Sequence, residues 1–277
     1  MVSKGRLSVV VPTKDSARTL GECLASVRSQ TLEVELIVVD NASGDATAEL
    51  AESYADAVLT QGPERSAQRN AGWRYSTGSA VAFLDSDMTL EPDVLRQSLE
   101  VLNDRPRVGA VVLPELAFGV GYFAACRALE KELYLGDANV EAARVFRRSA
   151  LEQVGGYDED LTGAEDWELP DRVVDAGWEL GRTTSHVWHD EGTVHIGAQF
   201  AKKRYYGRGV RRYVSQVPSE RRRQVSRRSL IAPRRLARDP LHAAGLMALK
   251  VVEAAGVAAG VVEASLSERR TGGSARP

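Results

Sequence analysis

Leu7 to Val11 is an unbroken apolar, β-branched run that stops at Pro12-Thr13. That is the pattern of a strand buried on both faces in a parallel sheet. Ser16 to Gln30 then spaces Leu20, Leu24 and Val27 at a helical period. Val34 to Val39 repeats the buried-strand pattern and ends in Asp40-Asn41-Ala42-Ser43-Gly44-Asp45. A short helix is expected over Thr47 to Tyr54, a strand at Ala57-Val58-Leu59 and a helix over Arg65 to Ser76. A third strong strand, Ala80 to Leu84, is closed by Asp85-Ser86-Asp87. This alternation predicts an α/β fold, a Rossmann-like, open, mostly parallel sheet flanked by helices. Ligands of such sheets sit beyond the carboxyl ends of the strands. Here three strands deliver polar clusters, Thr13 to Asp15, Asp40 to Asp45 and Asp85 to Asp87, to one edge.

The second half continues the pattern. Pro92 to Leu102 reads as a helix with Pro92 in its first turn, Val108 to Leu113 as a strand, Phe118 to Leu135 as a helix and Val140 to Phe146 as a strand. Ser149 is expected to cap a short helix over Ala150 to Val154, ended by Gly155-Gly156. After the loop Tyr157 to Gly163, a helix runs from Glu165-Asp166 to Ala176, with Pro170 assigned to its first turn. Trp178 to Arg182 reads as a short strand. After His195 the chain becomes Arg-rich, then apolar from Leu241 to Ala264, interrupted by Lys250, Glu253 and Glu263. The expected organisation is a sheet domain over 1–198 and a basic, partly amphipathic helical extension over 199–277.

Composition changes this picture at two points. The 277 residues are 43% hydrophobic and 27% charged, enough for an ordinary globular core. Two cysteines, Cys23 and Cys126, are too few for a disulfide framework and read as buried free thiols of a reducing cytosol. No leader peptide is expected, and with those three charges in the late apolar stretch no membrane span is expected either. The net charge of −2 hides an asymmetry: Lys202 to Arg238 holds fourteen Lys and Arg against one acid, Glu220. An acidic body with a basic extension predicts that the extension meets something anionic.

Acids gathered at strand ends suit a divalent cation that bridges phosphate oxygens. Mg2+ or Mn2+ prefers hard carboxylate oxygens, and it neutralises the charge that grows on a leaving diphosphate. Asp85-Ser86-Asp87 offers two carboxylates, one for a ribose and one for a metal. Alone such a triplet is often a solvated turn; here it joins other strand-end acids. Asp40 can accept an N–H from a nucleotide base, or cap a helix; for Asp45 the cap is favoured. Arg69 can contact base or diphosphate through its fork of donors, or lie on a solvated helix face. A direct displacement also needs a base to take the acceptor hydroxyl proton. Asp166 is the candidate, although an acid at a helix start can be a simple cap. His186, His189 and His195 are three of the chain's four histidines. His189, and less so His195, are candidate metal or phosphate contacts.

Taken together, several pieces resemble family 2 glycosyltransferases of the GT-A fold over roughly Leu7 to His195. They are Val9-Val10-Val11-Pro12-Thr13, Val38-Val39-Asp40 through Asp45, Arg69-Asn70-Ala71-Gly72 and Phe83-Leu84-Asp85-Ser86-Asp87. Two later ones are Phe146-Arg147-Arg148 with Val154-Gly155-Gly156-Tyr157-Asp158, and Gly163-Ala164-Glu165-Asp166-Trp167-Glu168-Leu169. The resemblance implies inversion at the anomeric carbon and a nucleotide-sugar donor, with uridine diphosphate as the carrier. It implies that Asp40 binds the base, Asp85 the nucleotide and Asp87 the metal, with Asp85 and His189 beside it. Asp166 would be the general base. Pro12, Thr13, Arg69, Asn70, Ser86 and Glu165 would complete the donor site. A lipid-linked glycan, a cell-envelope glycan or a small metabolite would be the acceptor.

Two other classes compete. A sugar-1-phosphate nucleotidyltransferase would show a glycine-rich basic loop after the first strand, where this chain has Pro12-Thr13-Lys14-Asp15-Ser16. A non-catalytic binding module would lack Asp87 or Asp166, and both are present. For the basic segment 202–238, an anionic membrane surface or phosphorylated acceptor is preferred over nucleic acid, with a solvated surface as the alternative. The apolar stretch after Leu241 is open between an interfacial helix, a homodimer contact and packing on the body. The expected location is the cytoplasm, at the inner face of the membrane.

Overall fold

The computed structural model describes residues 5–137, 140–161, 164–216 and 236–272, without the side chains of 209–216 and 267–272. The first half alternates as expected: β1 (Leu7–Thr13), α1 (Ala17–Arg28), β2 (Val34–Asp40), α2 (Thr47–Tyr54), β3 (Ala57–Thr60), α3 (Arg65–Tyr75) and β4 (Ala80–Phe83). Then come β5 (Met88–Leu90), α4 (Val94–Asp104), β6 (Val108–Val112), β7 (Glu115–Val120), α5 (Tyr122–Tyr134) and β8 (Ala143–Arg147). The chain continues through α6 (Arg148–Val154), α7 (Glu165–Asp175), β9 (Glu179–Arg182), β10 (Val187–Thr193), α8 (Ile196–Gln216) and α9 (Pro240–Gly272).

The main sheet has the order β3-β2-β1-β4-β8-β6-β9. Every pair is parallel except those of β8, which runs antiparallel between β4 and β6. Register does the positioning. Thr13 pairs with Asp40, so the polar ends of β1 and β2 finish level. Because β8 is reversed and pairs Val145 with Ala82, its first residues, Ala143 and Arg144, lie at the edge where β4 ends. Sequence periodicity carries no strand direction, so this arrival was not legible beforehand.

β1 and β2 are buried along their whole length, as continuous apolar runs require. Leu7, Val9 and Val11 join Leu20, Leu24 and Leu95 on one face, while Val10 and Val81 join Trp73, Leu151 and Leu169 on the other. Each fully buried aliphatic side chain contributes roughly 1.5–3 kcal/mol. Gly72 lets α3 lie directly on the sheet, since a Cβ there would come within 2.3 Å of Val10 Cγ1.

Four expectations are corrected. Phe118 to Val120 belong to a strand, β7, and helix α5 starts only at Tyr122. Pro92 precedes the Asp93 N-cap of α4 rather than sitting in its first turn. Helix α6 is preceded by Arg147, and Ser149 does not cap it. Pro170 is the sixth residue of α7, past the first turn, so the N–H that would reach the Asp166 carbonyl is missing. The strands β5 and β10 were not read from the sequence; with β7 they form a second sheet, in the order β5-β10-β7.

Contacts divide the chain into two units, one of Met1–Ala117, Leu135–Asp160 and Glu165–Asp190, the other of Phe118–Tyr134, Leu161–Ala164 and Glu191–Pro277. The second unit is built on α5, α8 and α9, around Ala124, Cys126, Leu133, Leu246 and Leu249. Both cysteines are free and buried. Gly207, Gly256 and Gly260 let α8 and α9 touch along their backbones; a Cβ on Gly260 would sit 2.1 Å from the Arg204 carbonyl. By length and composition alone, Pro240–Leu266 is long and apolar enough to cross a membrane.

Candidate active site

The strand ends of the first unit set the frame. Asp40 closes β2, and its carboxylate accepts hydrogen bonds from the Ser43 N–H (2.9 Å) and the Ser43 hydroxyl. Ala42 in the same turn adopts φ 50°, a left-handed conformation unusual for a residue with a Cβ. Asp45 accepts from the Thr47 N–H (3.1 Å) and the Ala17 N–H (3.2 Å), the local capping role favoured for it. Pro12 and Thr13 are buried at the end of β1, and the Thr13 hydroxyl has no hydrogen-bond partner. Gln68 of α3 donates to the carbonyls of Thr13 (2.9 Å) and Val39 (2.7 Å), tying the helix to both strand ends. The Ser86 hydroxyl donates to that of Ser16 at 3.0 Å.

The next residue inward on α3 is Arg69, with a side chain 0% exposed. This excludes the solvated-face alternative. Its guanidinium donates to Asp166 Oδ1 and to Asp85 Oδ1, both at 2.8 Å, and stands 5.1 Å from the centre of the Tyr157 ring. One arginine thus joins the acid after β4 to the acid opening α7, 81 residues further along the chain. Arg65, one turn earlier, reaches Glu165 at 3.3 Å and Asp85 at 3.9 Å. Burial alone would raise the Asp85 carboxyl, but Arg69, Arg144 and Arg65 outweigh it and hold the group well below the usual range. Glu165 moves the other way: burial and then Asp166 raise it. Two acids that share Arg65 and Arg69 therefore face opposite electrostatic conditions in one site, a pattern found where protonation states matter.

On the other side of Asp85 lies a second chain of contacts. Strand β10 pairs with β5 so that His189 faces Met88, the neighbour of Asp87. His189 Nε2 lies 3.1 Å from Asp87 Oδ2, and its Nδ1 lies 2.9 Å from Glu115 Oε1. Glu115 also pairs with Arg144 Nη2 at 3.2 Å, and Arg144 Nη1 reaches Asp85 Oδ2 at 3.4 Å. Burial would lower His189, yet the bonds to Asp87 and Glu115 outweigh it and raise the group to about 10. Asp87, His189, Glu115, Arg144, Asp85, Arg69 and Asp166 form one continuous ionic path from the metal candidates to the base candidate.

Glu115 and Arg144 were missed in the sequence. The signal for Arg144 was a charge inside the apolar run Ala143-Arg144-Val145-Phe146, since a buried charge implies a partner. Asn70 does not join the path. Its amide donates to the Tyr157 carbonyl (2.9 Å) and to Glu159 (2.7 Å) and accepts from the Tyr157 N–H (2.9 Å) and the Trp73 indole (3.1 Å). It anchors the glycine loop before Tyr157 instead. His186 pairs with Glu91 at 3.5 Å, and His195 lies in the second unit, its carbonyl accepting from the Gln199 N–H. Residues 162–163 of the expected glycine loop lie outside the described residues.

Among the described residues no three Asp, Glu, His or Cys side chains form a complete cation cage. A cation that carries a diphosphate needs few protein ligands, however. The groups present fit such a cation. Asp87 Oδ1 is buried with no partner, and His189 is oriented from behind by a carboxylate, as metal-binding imidazoles are. Glu165 Oε2 and Arg69 Nε are likewise buried without partners. Such atoms are rare in folded proteins; with the Thr13 hydroxyl, four of the seven found among the described residues belong to this edge.

The model for "Glycosyl transferase family 2" matches residues 8–125, the span from β1 into α5. Over that span the chain is similar to glycosyltransferase family 2. A pre-mycofactocin glycosyltransferase of Mycobacterium tuberculosis is 30% identical over 221 residues, 73% of this chain and 46% of that protein. The glycosyltransferase AglE of Haloferax volcanii is 29% identical over 193 residues, 63% of each chain. The chain thus spans less than half of the first relative and under two thirds of the second. Among solved structures, the mannosyltransferase PcManGT of Pyrobaculum calidifontis, in complex with GDP-Man and Mn2+, superposes with a TM-score of 0.61. At 20% identity, covering 99% of this chain and 81% of that one, the likeness establishes the GT-A fold.

Proposed function

We propose that this chain is an inverting glycosyltransferase that moves a sugar from a nucleotide diphosphate donor, a UDP-sugar, to an acceptor hydroxyl. The observation that carries the reading is Arg69 gripping Asp85 and Asp166 at once. That grip supports the reading, because it draws Asp85 and Asp166, from distant stretches of chain, to one buried guanidinium.

Asp40, with the buried Pro12 and Thr13, receives the nucleotide base, and Ser86 and Asp85 face the ribose. Asp87 and His189 would hold Mg2+ or Mn2+, which when bound neutralises charge on the leaving diphosphate. Glu115 keeps the His189 ring turned toward Asp87, and Arg65 and Glu165 complete the donor side. Asp166 is 31% exposed on its side chain, so it can meet an acceptor while Arg69 fixes Oδ1. The acceptor oxygen attacks the anomeric carbon from the face opposite the diphosphate and forms the new C–O bond. The old C–O bond breaks, its electron pair stays on the diphosphate, and the hydroxyl proton passes to Asp166. One displacement of this kind inverts the anomeric centre. The missing Pro170 N–H leaves the Asp166 carbonyl outside the α7 ladder, so the first turn is freer to adjust around the base.

The protein works in the cytoplasm at the inner face of the membrane, and the basic segment 202–238 meets an anionic acceptor or surface. Residues 217–235 of that segment lie outside the described residues. The test is transfer or hydrolysis of nucleotide sugars with Mn2+. Activity with a UDP-sugar that Asp87→Ala and Asp166→Asn both abolish is expected. Full activity in Asp166→Asn would remove the base assignment, and no turnover of any nucleotide sugar would remove the class.

A further inference from the structure

Helix α9 carries three charged residues between Leu241 and Leu266: Lys250, Glu253 and Glu263. All three are engaged inside the second unit. Lys250 pairs with Glu130 of α5, Glu253 with Arg127 of α5 and with Lys203 of α8, and Glu263 with Arg204 and Arg208 of α8. The same side packs Leu246, Leu249, Gly256 and Gly260 inward. What remains outside is a stripe with no charge on it. Leu241, Met247, Val251, Ala258, Val262 and Leu266, with alanines between them, are exposed at steps of three and four residues, Val251 by 68%. At 1.5 Å per residue the stripe runs about 38 Å. An apolar face of that extent marks an interaction surface.

We infer that this outer face of α9 lies in the headgroup–acyl boundary of an anionic lipid surface, parallel to the membrane plane. Three observations select this occupant. The stripe begins three residues after Arg238, the end of a segment with fourteen Lys and Arg against one acid, so the apolar face and the basic charge are contiguous in the chain. That combination is how interfacial helices bind anionic lipid. A crossing orientation is disfavoured, because spanning would strip Lys250 and Glu253 from Arg127 and Glu130 and leave charges in hydrocarbon. A second copy is disfavoured too, since its matching stripe is uncharged and offers the basic segment no anionic group.

The test is flotation of the full chain with vesicles of phosphatidylcholine alone or with one quarter phosphatidylglycerol. Partitioning to the anionic vesicles is expected to exceed that to neutral ones at least tenfold, and to weaken as salt is raised. The double variant Met247→Glu, Val251→Glu should lower it tenfold or more with an unchanged thermal melt, both sites being exposed. As a second measurement, a Met247→Cys protein labelled with an environment-sensitive dye should shift to the blue on anionic vesicles. Asp166→Asn should float like the parent, which separates this inference from the transfer chemistry. The inference is overturned if the parent floats with neither vesicle, or if the double variant floats as well as the parent. It is also overturned if bound protein resists alkaline carbonate extraction, which means a span. Finally, it is overturned if the chain is a dimer that the double variant dissociates without any vesicle binding.

Discussion

Each unit holds a buried ionic cluster, and the two are built for different ends. The cluster in the second unit joins Arg127, Glu130, Lys203, Lys250 and Glu253, with Gln199 and the Tyr134 hydroxyl completing its bonds. It draws on three helices and closes on itself; among the described residues Arg127 Nε is its one buried atom without a partner. The cluster at the sheet edge also pairs its charges, yet keeps carboxylate oxygens of Asp87 and Glu165 and the hydroxyl of Thr13 buried without partners. A closed cluster clamps helices. An open one leaves acceptors and donors for something that arrives later. The lesson is that burial and pairing alone do not identify a site; several unfilled acceptor atoms gathered at one sheet edge point to it.

The comparison can be broken by experiment, and the largest effect is expected at the open cluster. Asp166→Asn should lower kcat by about 10²–10⁴-fold, the typical contribution of a positioned base, with little change in melting. Steady-state transfer assays and calorimetry would check both halves. A comparable loss of stability would mean that Asp166 is a clamp like Glu130.

Next comes Arg127→Met in the closed cluster. It leaves Glu130 and Glu253 buried without their arginine, which should cost about 3–5 kcal/mol. Hydrogen exchange of α5, α8 and α9 should accelerate accordingly, while kcat of the folded protein holds. If turnover fell instead, the two clusters would not be separable.

Glu115→Gln sharpens the open side. It loosens the orientation of His189 and should weaken Mn2+ binding about 10–100-fold, read by titration calorimetry. The Asp variant should recover part of the affinity. Unchanged binding would remove Glu115 from the metal's support.

The smallest effect is one of pH. Burial alone would raise the Glu130 carboxyl, but Lys250 and Arg127 outweigh it and take it from 4.5 to about 2. Its folded value lies below its unfolded one, so its stabilisation is complete above pH about 4.5 and drains away as pH falls toward 2. The amount is about 3 kcal/mol at most. Denaturant melts across that window should show the loss in the parent and a flatter profile in Glu130→Gln.

How much of this was legible beforehand follows from what periodicity encodes. Runs such as Leu7–Val11 and Val34–Val39 carry a strong local signal, because strands buried on both faces must be apolar throughout, and the structure places them within a residue or two. The polar stops Thr13, Asp40 and Asp85 were legible for the same reason: they are where burial ends. Short strands fared worse. Met88–Leu90 and Val187–Thr193 owe their form to pairing in the second sheet, and the His-rich segment has no apolar alternation to announce it. The motif also hides a division of labour: Arg69 faces the acids, while Asn70 turns to the Tyr157 loop.

The amino-acid order by itself determined the sheet-and-helix succession, the family motifs, the acids at the strand ends and the basic segment before α9. Only the tertiary structure decided that reversed β8 brings Arg144 beside Asp85, that Glu115 stands behind His189, and that α5 joins α8 and α9. It also decided which side of α9 keeps the charges. The reason is physical: burial and period are properties of neighbouring residues, whereas an ion pair such as Arg69 with Asp166 is set by strand direction and register, which no local stretch contains.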